Sequence, residues 1–377
     1  MDSSPLITLQ KYGQSFWYDN ISRGLLKSGE LKRMIEEEGL RGVTSNPTIF
    51  HKSIQSGNDY DEQLHQLLGK EASEKDMFYA LAIQDIVEAC EVLMPVYEES
   101  NGLDGYVSIE VDPHLAYDTE RTVTEATELA ERIGKPNLMV KVPATGEGLP
   151  AVEELLYRGY NINVTLLFSV KRYKEVLNAY MKGIERRVSE GKPVDRVASV
   201  ASFFVSRVDT LADKLLEEKL KMAGDDDEKA RIKSLMGKAA VANAKIAYQL
   251  FKDAFSSQRF FVLMEKGAKI QRLLWGSTST KNPAYRDVLY VEELIGPGTV
   301  NTMPDATWRA FKDHGKVNRT IDADIEAALA TIQSIEELGV SIDRVTKELE
   351  DEGVRLFTES FDALLNLIAG KKRTGTC

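Results

Sequence analysis

Short apolar runs alternate with longer amphipathic stretches along nearly the whole chain, the pattern of parallel strands joined by crossover helices. Eight runs read as strands: SFWYD (15–19), GVTSN (42–46), YVSIEV (106–111), LMVKVP (138–143), NINVTLLF (161–168), VASVASFF (197–204), KIQRLLWG (269–276) and TVNTM (299–303). Helices are strongest at 73–99, 118–133, 170–190, 206–223, 229–254 and 342–369, where apolar residues recur at three- and four-residue spacing. This pattern predicts an α/β fold, a single (β/α)8 barrel with additional helices, although a doubly wound open sheet reads similarly.

Two segments exceed the barrel pattern. The stretches 206–223 and 229–254, joined by Gly224-Asp225-Asp226-Asp227, predict a helical hairpin inserted between the sixth and seventh strands at about 206–254. The stretch 324–369 predicts helices that close the C-terminus over the barrel, with the tail KKRTGTC frayed. No repeat, low-complexity segment or linker interrupts residues 1–377, which therefore read as one domain.

Polar residues break the strand pattern at particular points. Strands buried on both faces are near-continuous apolar runs, so a charge inside one needs a reason. Lys141 lies between Val140 and Val142 in LMVKVP. Alone, it reads equally as an edge-strand lysine with its amine snorkelling to water. Glu110, in VSIEVD, alternates with Ile109 and Val111, and the run NINVT places Asn161, Asn163 and Thr165 on one face. In a parallel barrel the outward face is covered by helices, so such polar residues point inward. Asp19 and Asn46 end their runs, and the C-terminal strand ends are where this fold gathers its reactive groups. One lysine, two carboxylates, two asparagines and a threonine are thus expected to converge.

Composition narrows the partners. A formal net charge of −11 over 377 residues argues against a broad nucleic-acid or membrane surface, while leaving room for a small basic pocket. Two cysteines, Cys90 and Cys377, make a disulfide framework improbable, and His51, His65, His114 and His314 lack metal-site spacing, so no metal is expected. The absence of a basic, apolar leader or a long uncharged apolar run predicts a soluble, cytoplasmic protein.

The expected cluster has a chemistry. A lysine amine, with a reference pKa of about 10.4, becomes a nucleophile when desolvation disfavours its ammonium form. It would attack a ketone, Glu110 would transfer the proton needed to expel water, and the resulting iminium would accept electrons from a breaking carbon–carbon bond. Asp19 is the candidate base for the neighbouring hydroxyl. For a phosphate, the loops Ser202–Arg207 and Gly276–Lys281 offer hydroxyls, amides and one cation each. A plainer alternative has Ser206 capping the next helix and Arg207 as a surface charge.

The segments GVTSNPTIF (42–50), VSIEVD (107–112), LMVKVPAT (138–145), NINVTLLFS (161–169) and SFFVSRVD (202–209) together resemble the transaldolase family, in order over about residues 12–315. The N-terminal SFWYDNISR and the inserted hairpin resemble its longer-chain branch. The resemblance implies a Schiff-base (β/α)8 barrel that moves a dihydroxyacetone unit between sugar phosphates of the pentose phosphate pathway, a transferase of ketone and aldehyde residues without metal or organic cofactor. It assigns Lys141 to the Schiff base, Glu110 to acid–base work on the departing water, Asp19 to the C4 hydroxyl and Thr165 to placing the water. Asn46 and Asn163 would hold the dihydroxyacetone moiety, Ser202 and Phe204 would line the site, and Arg207, Ser279 and Lys281 would bind phosphate. Many members carry Ser-x-Arg where this chain has Ser279-Thr280-Lys281, so the second cation is here a point charge and not a planar fork. Two rivals use the same residues: an aldolase that releases free dihydroxyacetone, and a sugar-phosphate-binding protein without chemistry. Either a monomer or a homodimer is compatible with the sequence.

Overall fold

The computed structural model describes residues 4–68 and 72–374. Its strands are β1 (Gln14–Tyr18), β2 (Gly42–Thr44), β3 (Tyr106–Glu110), β4 (Leu138–Pro143), β5 (Ile162–Leu167), β6 (Ser199–Phe204), β7 (Arg272–Gly276) and β8 (Thr299–Met303). They run parallel in sequence order and close, with β8 pairing β1 from Gln14 opposite Thr299 to Tyr18 opposite Met303. That closure removes the open-sheet alternative.

Alternation along the strands sorts residues into two cores. Outward residues, among them Phe16, Val43, Ile109, Val140, Val142, Ile162 and Trp275, belong to the large core shared with the surrounding helices. Inward Trp17, Met139, Val200, Leu274 and Val300 join Tyr106 in a separate small cluster that plugs the barrel. Each such side chain, when fully buried, contributes about 1.5–3 kcal/mol. Beneath the plug, Arg272 Nη1 meets Asp104 Oδ1 at 3.0 Å, and Ser15 Oγ and Trp17 Nε1 also donate to that carboxylate. The buried charges are paired and hydrogen-bonded, as burial requires. The barrel is therefore solid up to the layer where its polar inward residues begin.

The inserted segment differs from the predicted hairpin. Helix Ser206–Met222 is followed by two helices, Asp226–Leu235 and Ala239–Phe255, where one stretch at 229–254 was expected. Gly237, at φ 70°, turns the chain between them. Asp213 Oδ1 accepts the Gly237 amide at 2.9 Å and Asp209 Oδ1 accepts the Ala240 amide at 2.7 Å, so two carboxylates from the preceding helix satisfy donors freed by the break. Tyr285 and Tyr290, downstream of β7, donate to the second oxygens of Asp213 and Asp209.

At the C-terminus, helix Ile325–Glu337 precedes helix Ile342–Thr374. The latter sits on the C-terminal strand ends: Thr48 Oγ1 donates to Ser360 Oγ at 3.0 Å, and a Cβ at Gly353 would lie 3.0 Å from Leu166 Cδ2 of β5. The predicted fraying of KKRTGTC fails over residues 371–374, which are helical, with Lys371 Nζ 3.0 Å from Asp61. Residues 375–377, including Cys377, lie outside the described residues. Cys90 is buried, and burial pushes its thiol up to about 12. Among the described residues no helix is long and apolar enough to cross a membrane.

Candidate active site

A cavity of about 660 Å³ opens at the C-terminal ends of the strands. Asp19, Asn46, Lys141, Thr165, Ser202, Phe204, Arg207, Ser279 and Lys281 all line it. Glu110 and Asn163 do not line it; they stand on either side of Lys141, opposite it on β3 and β5.

Lys141 is set by the register of β3 and β4, which places it opposite Glu110. Its Nζ donates to Ser45 O at 2.9 Å and lies 3.3 Å from Glu110 Oε2, and both side chains are nearly sealed from solvent. The snorkelling alternative is thereby excluded. Glu110 Oε1 is buried and, among the described residues, has no hydrogen-bond partner. Burial holds the Glu110 carboxyl above its ordinary range, with the neighbouring Lys141 pulling it back.

Asp19 follows β1 directly. Its Oδ1 accepts from Thr44 Oγ1 at 2.7 Å, and Thr44 in turn shares a hydrogen bond with Thr302 at 2.6 Å. Desolvation raises the Asp19 carboxyl, against the attraction of Lys141, the Thr44 bond and Lys281. Asn46 caps the helix Pro47–Gln55, its Oδ1 accepting from the Ile49 amide at 3.0 Å. Capping leaves the amide nitrogen of Asn46 as the group that can meet a ligand.

Strand β5 is irregular at the site. Its register with β6 runs from Val164 opposite Ala201 to Leu167 opposite Phe203, so Thr165 and Leu166 share a single partner position, and Leu166 has φ 56°. Such bulges re-aim side chains beside active sites. Here Leu166 takes the irregular backbone, while Thr165 keeps the inward face that alternation gives it, and its buried Oγ1 has no partner among the described residues. Asn163 Nδ2 donates to Ser108 Oγ at 3.1 Å and its Oδ1 accepts from Ser202 Oγ at 2.6 Å, so it orients a wall residue from below.

The far end of the cavity is cationic. Val205 and Ser206 amides donate to Gly276 and Ser277 carbonyls, lacing the loops after β6 and β7 together. Ser206 Oγ bonds Ser277 Oγ at 3.0 Å and makes no helix cap, and Ser277 has φ 53°. Arg207 is half-buried with an Nη1 that has no partner among the described residues, and burial lowers its pKa against the pull of Glu352. It is not a surface charge. Lys281 Nζ donates to Ser279 Oγ at 2.7 Å. Local desolvation lowers the Lys281 pKa, aided by the Arg207 and Lys52 cations and opposed by Asp19.

Lining residues that escaped the sequence reading include Thr44, Thr302, Lys52 and Phe357. Thr44 and Thr302 are polar residues at strand ends, the same signal that singled out Thr165. Lys52 and Phe357 sit on helices, where a lysine reads as solvated surface and a phenylalanine as core. Among the described residues no group of three or more His, Cys, Asp or Glu is disposed to hold a metal ion.

A family profile described as Transaldolase/Fructose-6-phosphate aldolase matches residues 16–368. The chain belongs to the transaldolase family. It is 47% identical over 373 residues, 98% of both chains, to the transaldolase of Trichodesmium erythraeum. It is also 46% identical over 374 residues, again 98% of both chains, to transaldolase 2 of Nostoc punctiforme. With the transaldolase of Thermobifida fusca it shares 46% identity over 367 residues, 97% of this chain and 98% of the other. Transaldolase is the enzyme class these matches establish. The inserted helices and most of the C-terminal helix fall inside the matched span, so they are part of the transaldolase fold of this chain.

Proposed function

We propose that the enzyme transfers a dihydroxyacetone unit from sedoheptulose 7-phosphate to glyceraldehyde 3-phosphate, giving erythrose 4-phosphate and fructose 6-phosphate, through a Schiff base on Lys141. The observation that carries this reading is the enclosed Lys141 amine, 3.3 Å from Glu110, in a cavity that also holds Asp19 and a cationic end. Lys141 attacks the donor ketone. Glu110, working through a water held by Thr165, protonates the departing carbinolamine hydroxyl. Asp19 removes the C4 hydroxyl proton as the C3–C4 bond breaks, the aldose leaves, and the bound enamine then attacks the carbonyl carbon of the acceptor. Asn46 and Ser202 hold the dihydroxyacetone hydroxyls, with Asn163 orienting Ser202 and Phe204 bounding the site, and Arg207, Ser279 and Lys281 hold the phosphate.

Borohydride reduction with fructose 6-phosphate should leave a mass adduct on the peptide containing Lys141. Full turnover by Lys141→Ala would sink the mechanism. The aldolase reading has support in the second half of the family's description, whereas relatives at 46–47% identity over nearly whole chains carry the transaldolase name alone. Fast cleavage of fructose 6-phosphate without an acceptor would favour the aldolase.

A further inference from the structure

One wall of the cavity comes from the C-terminal helix. Phe357, on helix Ile342–Thr374, lines it together with Asp19, Thr165 and Phe204, and is only 7% exposed. Its ring centroid stands 5.8 Å from Lys141 Nζ, with the amine over the ring. The helix that carries it is fixed on either side of this position. Gly353, one turn earlier, rests against Leu166 of β5, and Ser360, one turn later, is bonded to Thr48 of the helix after β2. The ring is therefore held over the amine by the fold.

We propose that Phe357 is a specificity residue that screens the covalent intermediate from water, so that the dihydroxyacetone unit passes to an acceptor sugar and is not released. The proposal rests on the Schiff-base reading above. Once the donor aldose has left, the enamine has two fates. It attacks an acceptor aldehyde, or it takes a proton at carbon and returns to the iminium. Water then adds to the iminium carbon, and collapse of the carbinolamine expels the Lys141 amine and frees dihydroxyacetone. Phe357 acts on the second route. Its ring offers no hydrogen bond to an approaching water, and its face meets the positive charge that the iminium keeps at Nζ.

The plainer role is a core staple, since Phe357 also packs in the main apolar cluster. A staple affects how much enzyme is folded, but not how the bound enamine partitions. The deciding measurement is the ratio of free dihydroxyacetone to sedoheptulose 7-phosphate formed from fructose 6-phosphate and erythrose 4-phosphate. This ratio does not depend on the folded fraction. Phe357→Ala is expected to raise it at least about fivefold, the scale of one lost contact of about 1 kcal/mol. Phe357→Leu, which keeps most of the volume and removes the ring face, is expected to raise it by less, and decides alone if the alanine variant does not fold. A ratio unchanged in the folded variants, with wild-type enzyme trapping normally on Lys141, overturns the proposal. Absence of wild-type trapping overturns instead the Schiff-base reading beneath it.

Discussion

Glu110 and Lys141 face each other across β3 and β4, yet the two share their contacts unequally. The lysine donates to Glu110 and to the Ser45 carbonyl, while Glu110 commits only Oε2 and leaves Oε1 buried without a protein partner among the described residues. A buried acceptor left open costs about 1–3 kcal/mol, so a pair selected for stability would close it. An open oxygen is what the proton transfer proposed for Glu110 requires.

Glu110→Gln preserves the shape of that side chain and removes its acid–base capacity. Borohydride trapping with fructose 6-phosphate is expected to slow by roughly 100- to 10,000-fold, the range of general acid–base catalysis. The pH profile carries a second mark. Asp19 acts as a base only when ionised, and burial raises its carboxyl above the ordinary 3.8, so kcat/KM should fall as pH drops through that raised value. Asp19→Asn should lose this acid limb along with most of its activity. Trapping by Glu110→Gln at the wild-type rate would remove Glu110 from the mechanism.

The cationic end should separate phosphate recognition from chemistry. Arg207→Ala is expected to raise KM for fructose 6-phosphate roughly 10- to 100-fold, as the loss of a charged hydrogen-bonding group implies. Trapping with dihydroxyacetone itself should be unaffected, because it has no phosphate. Lys281→Arg restores a planar fork and should lower KM. Equal losses on phosphorylated and unphosphorylated ligands in Arg207→Ala would count against the assignment.

Asp209 links stability to pH. Burial pushes its carboxyl up to about 6 from the ordinary 3.8, even though it accepts hydrogen bonds from the Ala240 amide and Tyr290. Between these values the folded chain binds the proton more tightly than the unfolded chain. Stability from this group is therefore present in full below 3.8 and is lost as pH rises towards about 6. Relative to Asp209→Asn, the wild type should lose up to about 1.4 kcal/mol per pH unit across that window. Denaturant unfolding of both proteins at several pH values checks the difference; parallel pH dependences would refute it.

Much of the barrel was legible because each strand alternates, and because a polar inward residue such as Lys141 or Asn163 contradicts the apolar run around it. The break at Gly237 was not. Its amides are satisfied by Asp209 and Asp213, on a different helix, and 229–254 has helical periodicity on both sides of the turn. Strand limits were drawn too wide at β2, where Asn46 belongs to the next helix as its cap. Asn163 could be assigned to the inner face, but whether it meets the guest or a neighbouring serine depends on depth, and periodicity carries no depth. Phe357 was hidden for a related reason. Nothing in an amphipathic helix marks which of its apolar residues will face a cavity.

Helix Ile342–Thr374 follows every strand in the chain, so the ribosome makes it after all eight strands have been synthesised. A nascent chain that has just completed β8 holds Lys141, Glu110 and Asp19 but does not yet hold Phe357. The wall that Phe357 forms is therefore the last part of the cavity to be made, and it is in place once Gly353 settles against Leu166.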